Sequence, residues 1–231
     1  MLGRLAAFGV HVFTALGAVL GFQSLIMAAA HRWEAAFAWL GVALVVDTVD
    51  GPLARRLDVT ERLPRFSGER LDLIIDYLTY VVVPAYIIYE AALVPSQLVS
   101  VTAPVILLAS LFHFTDRQSK TEDGFFVGFP AVWNVVALYL MIFEIAPWPS
   151  FALLMILALL TFFPLKWIHP IRVKRLRALT LAVMAIWAAA LLFALRQGLP
   201  GSPAVQLIVA LSTAYLLAVG LLRSLNTANE A

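Results

Sequence analysis

The chain contains no cysteine. Disulfides, thiolate metal centres and cysteine nucleophiles are therefore excluded together, and any metal ligand has to come from Asp, Glu, His or carbonyl oxygen. Charge is scarce as well. Only 13% of the residues are charged against 62% hydrophobic, and the mean hydropathy is +0.92. A soluble domain does not have that composition. His11 and His113 stand alone, without a partner at ligand spacing. No internal repeat or low-complexity segment interrupts residues 1–231, which are read as a single integral membrane domain.

What the chain does have is a series of apolar runs separated by short charged or Pro/Gly-containing stretches. Runs such as VVVPAYIIY and FALLMILALL are continuous, whereas a transmembrane β-barrel alternates in segments of about ten residues. The fold class expected is all-α, a polytopic membrane bundle of about eight transmembrane helices. They are placed near 7–30, 33–53, 70–94, 97–115, 127–146, 150–165, 178–196 and 203–222. The first apolar run is too long for the roughly 7–15-residue core of a signal peptide and is read as a retained anchor.

With eight spans, both termini fall on one side of the membrane. Fourteen of the 16 Lys and Arg residues lie on that side, and only Arg32 and Arg196 on the other. Such an asymmetry places the termini, and the DTVDG end of the second span, in the cytoplasm.

The second apolar run drives without a break into DTVDGPLAR, residues 47–55. An aspartate at mid-bilayer costs roughly 2.5–3.5 kcal/mol, so acids in such a helix are functional candidates. The third run opens GERLDLIIDYLTY and carries Asp72 and Asp76. Spacings of three (Asp47, Asp50) and four (Asp72, Asp76) each put both carboxylates on one helix face. The intervening loop returns the third helix beside the second, so the four acids are expected to converge near the cytoplasmic surface. Like charges gathered there need neutralising, and carboxylate-only ligation suits hard cations, Mg²⁺ or Mn²⁺. Gly51 and Gly68 would let a ligand approach the backbone, small Ala54 clears the same side, and Arg55 could meet a phosphate or a ligating aspartate.

The run Asp47-x2-Asp50-Gly51-x2-Ala54-Arg55, then twelve residues, then Gly68-x3-Asp72-x3-Asp76 resembles the signature of the CDP-alcohol phosphotransferases. Its eight fixed positions span residues 47–76. The twelve-residue gap is similar to that of the bacterial, phosphatidylcholine-forming subgroup, which has about eight spans; EDGFFVGFPAVWN and WIHPIRV resemble it more softly. The resemblance implies transfer of phosphatidyl from CDP-diacylglycerol to choline with release of CMP. It implies Asp47, Asp50 and Asp72 as metal ligands for two Mn²⁺ or Mg²⁺ ions, and Asp76 as the catalytic base, sharing a metal. It further implies Gly51, Ala54, Arg55 and Gly68 as the nucleotide-binding surface, and a homodimer.

A quaternary ammonium has no proton to donate, so its recognition falls to aromatic faces. Tyr80, one turn beyond Asp76, and Trp133 and Asn134 at the start of the fifth span are the choline-binding candidates, with Phe129 behind them. Ordinary readings stand beside these. Interfacial aromatics form belts; KWIHPIRVKRLR, with His169, is a basic juxtamembrane segment suited to anionic headgroups. Asp58, Glu61, Asp116, Glu122 and Asp123 read as loop charges, and Glu90 and Glu144 as far-side interfacial acids. The alternatives are a same-family enzyme using serine, glycerol phosphate or inositol phosphate, an aspartate-rich prenyltransferase, and a cation-coupled transporter. A prenyltransferase would carry a second Asp-rich motif, and a transporter would keep its ionisable groups nearer the midplane.

Overall fold

Each of the eight apolar runs holds a helix in the computed structural model, which describes residues 2–116, 126–163, 166–167 and 177–228. Among these residues, four helices are long and apolar enough to cross a membrane: Gly3–Ala29, Trp33–Arg56, Gly68–Glu90 and Arg177–Gln197. In chain order the elements are α1 (Leu2–Ala29), α2 (Trp33–Arg56), a one-turn α3 (Val59–Arg62), α4 (Gly68–Asp76), a π-helical segment (Tyr77–Val82) and α5 (Val83–Glu90). They continue with α6 (Val99–Thr115), β1 (Phe126–Val127), α7 (Trp133–Ile142), α8 (Pro147–Leu160), β2 (Lys166–Trp167), α9 (Arg177–Gln197) and α10 (Pro203–Ala228). The fold is a multi-pass helical one, with four long spans and shorter apolar helices beside them. Large apolar side chains such as Val45, Ile156, Leu192 and Leu211 remain on its outside, as contact with lipid requires.

The shorter helices depart from the expected boundaries for local reasons. The segment expected to be helical from residue 127 starts only at Trp133, because Gly128 and Ala131 adopt positive φ and Pro130 stands between them. Pro147 occupies the opening turn of α8, where its missing N–H costs nothing, so that helix begins before the expected residue 150. A two-residue antiparallel pairing of Phe126–Val127 with Lys166–Trp167 has no place in a purely helical reading.

Three helices end alike. His31, Ala92 and Glu144 take left-handed backbone conformations after α1, α5 and α7. The next residue's N–H then reaches back five positions, Arg32 to Met27, Leu93 to Ile88 and Ile145 to Leu140. This is the Schellman closure, here built without the usual glycine.

The site is positioned by α1, α2 and the helix from Gly68 to Glu90. α1 packs along α2 and against α4. Gly17 and Gly21, one turn apart, make the second contact possible: a Cβ on Gly17 would lie 2.5 Å from Ile75 Cγ2, and one on Gly21 3.1 Å from Leu78 Cδ2. Small residues four apart let helices approach closely in this way within a membrane. The π segment precedes Pro84, which has no N–H to bond the preceding turn, and widening of the helix absorbs that loss. The main core joins buried residues of α2, α5 to α10 and the π segment, Ile87, Ile106, Trp133 and Leu154 among them. A second, small cluster of Ala7, Val10 and Val59, with Leu53, Ala54, Leu57 and Leu63 against it, packs the α2–α4 connection onto the start of α1.

Candidate active site

Asp47 and Asp50 lie on α2, less than three turns before its end at Arg56. Asp72 and Asp76 lie on α4, whose start is fixed by Ser67: its hydroxyl accepts the Arg70 N–H at 3.2 Å. Such a cap typically contributes about 1 kcal/mol and sets the phase of the two acids that follow. All four aspartates line one recess together with Thr14 and Gly17 of α1, Ala43, Val46, Ile75 and Thr79. Within it, one carboxylate oxygen each from Asp47, Asp50 and Asp72 lie within 4.8 Å of one another.

A neighbour orients one of these carboxylates. The Tyr80 hydroxyl donates to Asp47 Oδ2 at 2.8 Å. Asp50, buried at 6% exposure, lies in the recess beside Thr14 of α1. Three carboxylates within one ion's reach, one of them held by the Tyr80 hydroxyl, form a centre that could hold a divalent cation, and the all-oxygen donor set fits a hard one.

The remaining motif positions, Gly51, Ala54, Arg55 and Gly68, are not among the residues that line the recess. Gly51 is partly buried and a Cβ on it would lie 3.4 Å from an Arg55 guanidinium nitrogen, so Arg55 folds back over the glycine that follows Asp50. Ala54 packs against the small cluster below the connection. At Gly68, a Cβ would stand 3.2 Å from His11 Cε1. The imidazole lies against the glycine, and a Cβ there would have to push it back by a few tenths of an ångström.

The aromatic candidates separate. Tyr80 reaches the acids. Trp133 and Asn134 do not line the acidic recess: Trp133 is 0% exposed, donates its indole N–H to Ser110 Oγ at 2.7 Å and meets Phe129 edge to face. Asn134 is buried, and its Oδ1 accepts the Val135 N–H at 2.9 Å. Among the other charges, Asp58 is exposed and pairs with Arg62 at 3.7 Å, Glu61 is exposed, and Glu90 pairs with His31 at 3.6 Å. His169, Glu122, Asp123 and most of KWIHPIRVKRLR lie outside the described residues.

Thr14 escapes a reading of the motif alone. A signal for it exists: it sits three residues from both His11 and Gly17, so one face of an otherwise apolar α1 carries a histidine, a hydroxyl and a glycine.

The model of the family described as CDP-alcohol phosphatidyltransferase matches residues 10–194. Curated relatives agree. A protein of Mesorhizobium japonicum named phosphatidylcholine synthase is 46% identical over 79% of this chain and 68% of its own length. Proteins of the same name from Bradyrhizobium diazoefficiens (44% identical, 88% of this chain and 76% of the relative) and Brucella melitensis (39%, 95% and 79%) extend the match to nearly the whole sequence. The chain belongs to the CDP-alcohol phosphatidyltransferase family.

Proposed function

We propose that this chain is a phosphatidylcholine synthase, transferring phosphatidyl from CDP-diacylglycerol to choline and releasing CMP. The observation that carries the reading is the gathering of Asp47, Asp50, Asp72 and Asp76 on one recess, in a chain 38–46% identical to several proteins named for that activity. Hydrophobic helices bring the lipid portion of the substrate to the same depth as the acids. Neither transporter nor prenyltransferase needs the complete eight-position motif.

In this reading Asp47, Asp50 and Asp72 hold divalent cations, Mg²⁺ or Mn²⁺, with Asp76 sharing a second ion. Bound there, the ions would spread the charge that develops on the phosphoryl oxygens and on departing CMP. Tyr80 keeps one of the ligands in register. Gly51, Ala54 and Arg55 near the end of α2 and Gly68 at the start of α4 take the nucleotide, with Arg55 a donor to phosphate. Choline oxygen forms a bond to the phosphorus that carries diacylglycerol. The bridging P–O bond breaks, CMP leaves with the electron pair, and Asp76 takes the hydroxyl proton.

The acceptor's trimethylammonium has to be stabilised without hydrogen bonds. The Tyr80 ring beside the acids supplies an aromatic face within a negative field, and Trp133 and Asn134, on a helix packed against the π segment, shape the wall behind it. A dimer in the bacterial inner membrane, with eight spans and both termini cytoplasmic, completes the proposal. Its test offers purified protein labelled CDP-diacylglycerol with choline, serine, glycerol phosphate or inositol phosphate and identifies the lipid formed. Phosphatidylcholine as the main product is expected. A different phospholipid would replace the acceptor, and absence of CMP release with all four would overturn the enzyme class.

A further inference from the structure

His11 belongs to none of the family motif positions, yet the fold builds a niche around it. It sits on α1, one turn before Thr14, which lines the acidic recess. Its side chain is 6% exposed, and among the described residues its Nε2 is fully buried without a hydrogen-bond partner. Phe66 stands edge-on to the ring at 6.3 Å. Gly68 closes the other side, 3.2 Å from Cε1 by its missing Cβ.

A buried polar nitrogen with no partner is unfavourable, and native proteins rarely leave one unless water or a ligand completes it. Packing alone does not call for a polar ring here. The neighbours shown are a phenyl ring and a glycine, beside which a Phe or Leu would leave no orphaned atom. The niche lies on the same α1 face as Thr14 and abuts Gly68, one of the four positions proposed to face the nucleotide.

From this geometry we infer that His11 is a further substrate-binding residue: its Nε2 hydrogen-bonds the nucleoside part of the cytidine nucleotide while the acids deal with the phosphates. The inference rests on the proposed function for the identity of the ligand, not on the choice of acceptor alcohol. Neutral imidazole can donate or accept at Nε2 according to tautomer, which suits either the ribose hydroxyls or the pyrimidine edge.

The test measures CMP binding with Mg²⁺ present and no acceptor, by calorimetry on the full-length protein in detergent. Wild type is compared with His11→Phe, which keeps a ring, and His11→Gln, which places an amide near the Nε2 position. The expected result is about tenfold weaker CMP binding by His11→Phe, as for one lost buried hydrogen bond, with recovery towards wild type by His11→Gln. The KM for choline should move in neither. Equal CMP affinity of His11→Phe and wild type overturns the inference while leaving the family function intact. Failure of wild type to bind CMP at all would instead undo the nucleotide reading beneath it. Should His11→Phe not fold, the wild type itself decides through ¹⁵N-histidine spectra, with His11→Gln assigning the resonance: a His11 Nε2 signal that moves on addition of CMP supports the contact, and one that does not move refutes it.

Discussion

The Tyr80 hydroxyl donates to Asp47 Oδ2 at 2.8 Å, tying the π segment of the third membrane helix to a carboxylate of the second. One side chain thus has two separable parts: a hydroxyl that orients the Asp47 carboxylate and the aromatic ring that carries it. Tyr80→Phe removes only the first. Loss of an outer-shell partner typically costs 10–100-fold in metal affinity, so titration of activity with Mn²⁺ should show a half-saturating concentration raised by about tenfold or more, with the choline KM near wild type. Tyr80→Leu also removes the ring and should raise the choline KM. A Tyr80→Phe enzyme with an unchanged metal requirement would show that the hydrogen bond is incidental.

The four aspartates should divide by role when replaced singly with Asn. Asp47→Asn, Asp50→Asn and Asp72→Asn each remove a charged carboxylate from a group whose oxygens lie within 4.8 Å. They should lose turnover together with the rise in melting temperature that bound Mn²⁺ gives the wild type by linkage. Asp76→Asn should lose turnover by roughly 10²–10⁴, the range for a general base, while keeping most of that metal-dependent stabilisation. Melting curves with Mn²⁺ and with EDTA, alongside CMP release, separate the two classes. An active Asp47→Asn, Asp50→Asn or Asp72→Asn enzyme would remove the metal centre as drawn.

The acids were legible because their chemistry is local. Spacings of three and four fix helix phase, and an aspartate in an apolar run has few structural excuses. Tyr80 was singled out for choline and not for its bond to Asp47, and Thr14 was missed, because contacts across helices leave no mark in the spacing. Gly17 and Gly21 were a visible signal, a small pair at four-residue spacing, whose partner, Ile75, only the fold identifies. Hydropathy found the helices but not their lengths, because Ala131 at positive φ beside Pro130 breaks an apolar stretch without changing its polarity. It was equally blind to the π segment ahead of Pro84 and to helix ends closed by His31, Ala92 and Glu144 in place of glycine.

Close approach of α1 to α4 sets the width of the recess, which makes Gly17 a test of how the site is assembled. A methyl group at position 17 would stand 2.5 Å from Ile75 Cγ2, too close for any real contact. Gly17→Ala should therefore destabilise the protein by about 1–3 kcal/mol through overpacking and lower kcat/KM by moving Thr14 and Asp72 apart. Adding Ile75→Ala, which removes the Cγ2 atom, should recover part of both losses. Thermal melting in detergent and CMP release on the single and double variants measure the coupling. Additive losses would place the cost of the methyl elsewhere.

The absence of cysteine turns topology into a simple labelling experiment, because any introduced thiol is the sole reactive one. Thr60 on α3 and Gln197 at the end of α9 are both exposed, and the proposed orientation assigns them to opposite sides of the membrane. In spheroplasts, Gln197→Cys should react with a membrane-impermeant maleimide added outside, and Thr60→Cys only after permeabilisation. The orientation follows from the distribution of basic residues, which holds arginines and lysines on the side where they need not be translocated. Arg55, Arg56, Arg62, Arg65 and Arg70 all flank or occupy the connection that carries Thr60. The same side has to hold the acids, since CMP and its liponucleotide precursor are cytoplasmic reactants in the proposed reaction. Labelling of Thr60→Cys from outside would thus reverse the membrane orientation and detach the acidic recess from its proposed substrate.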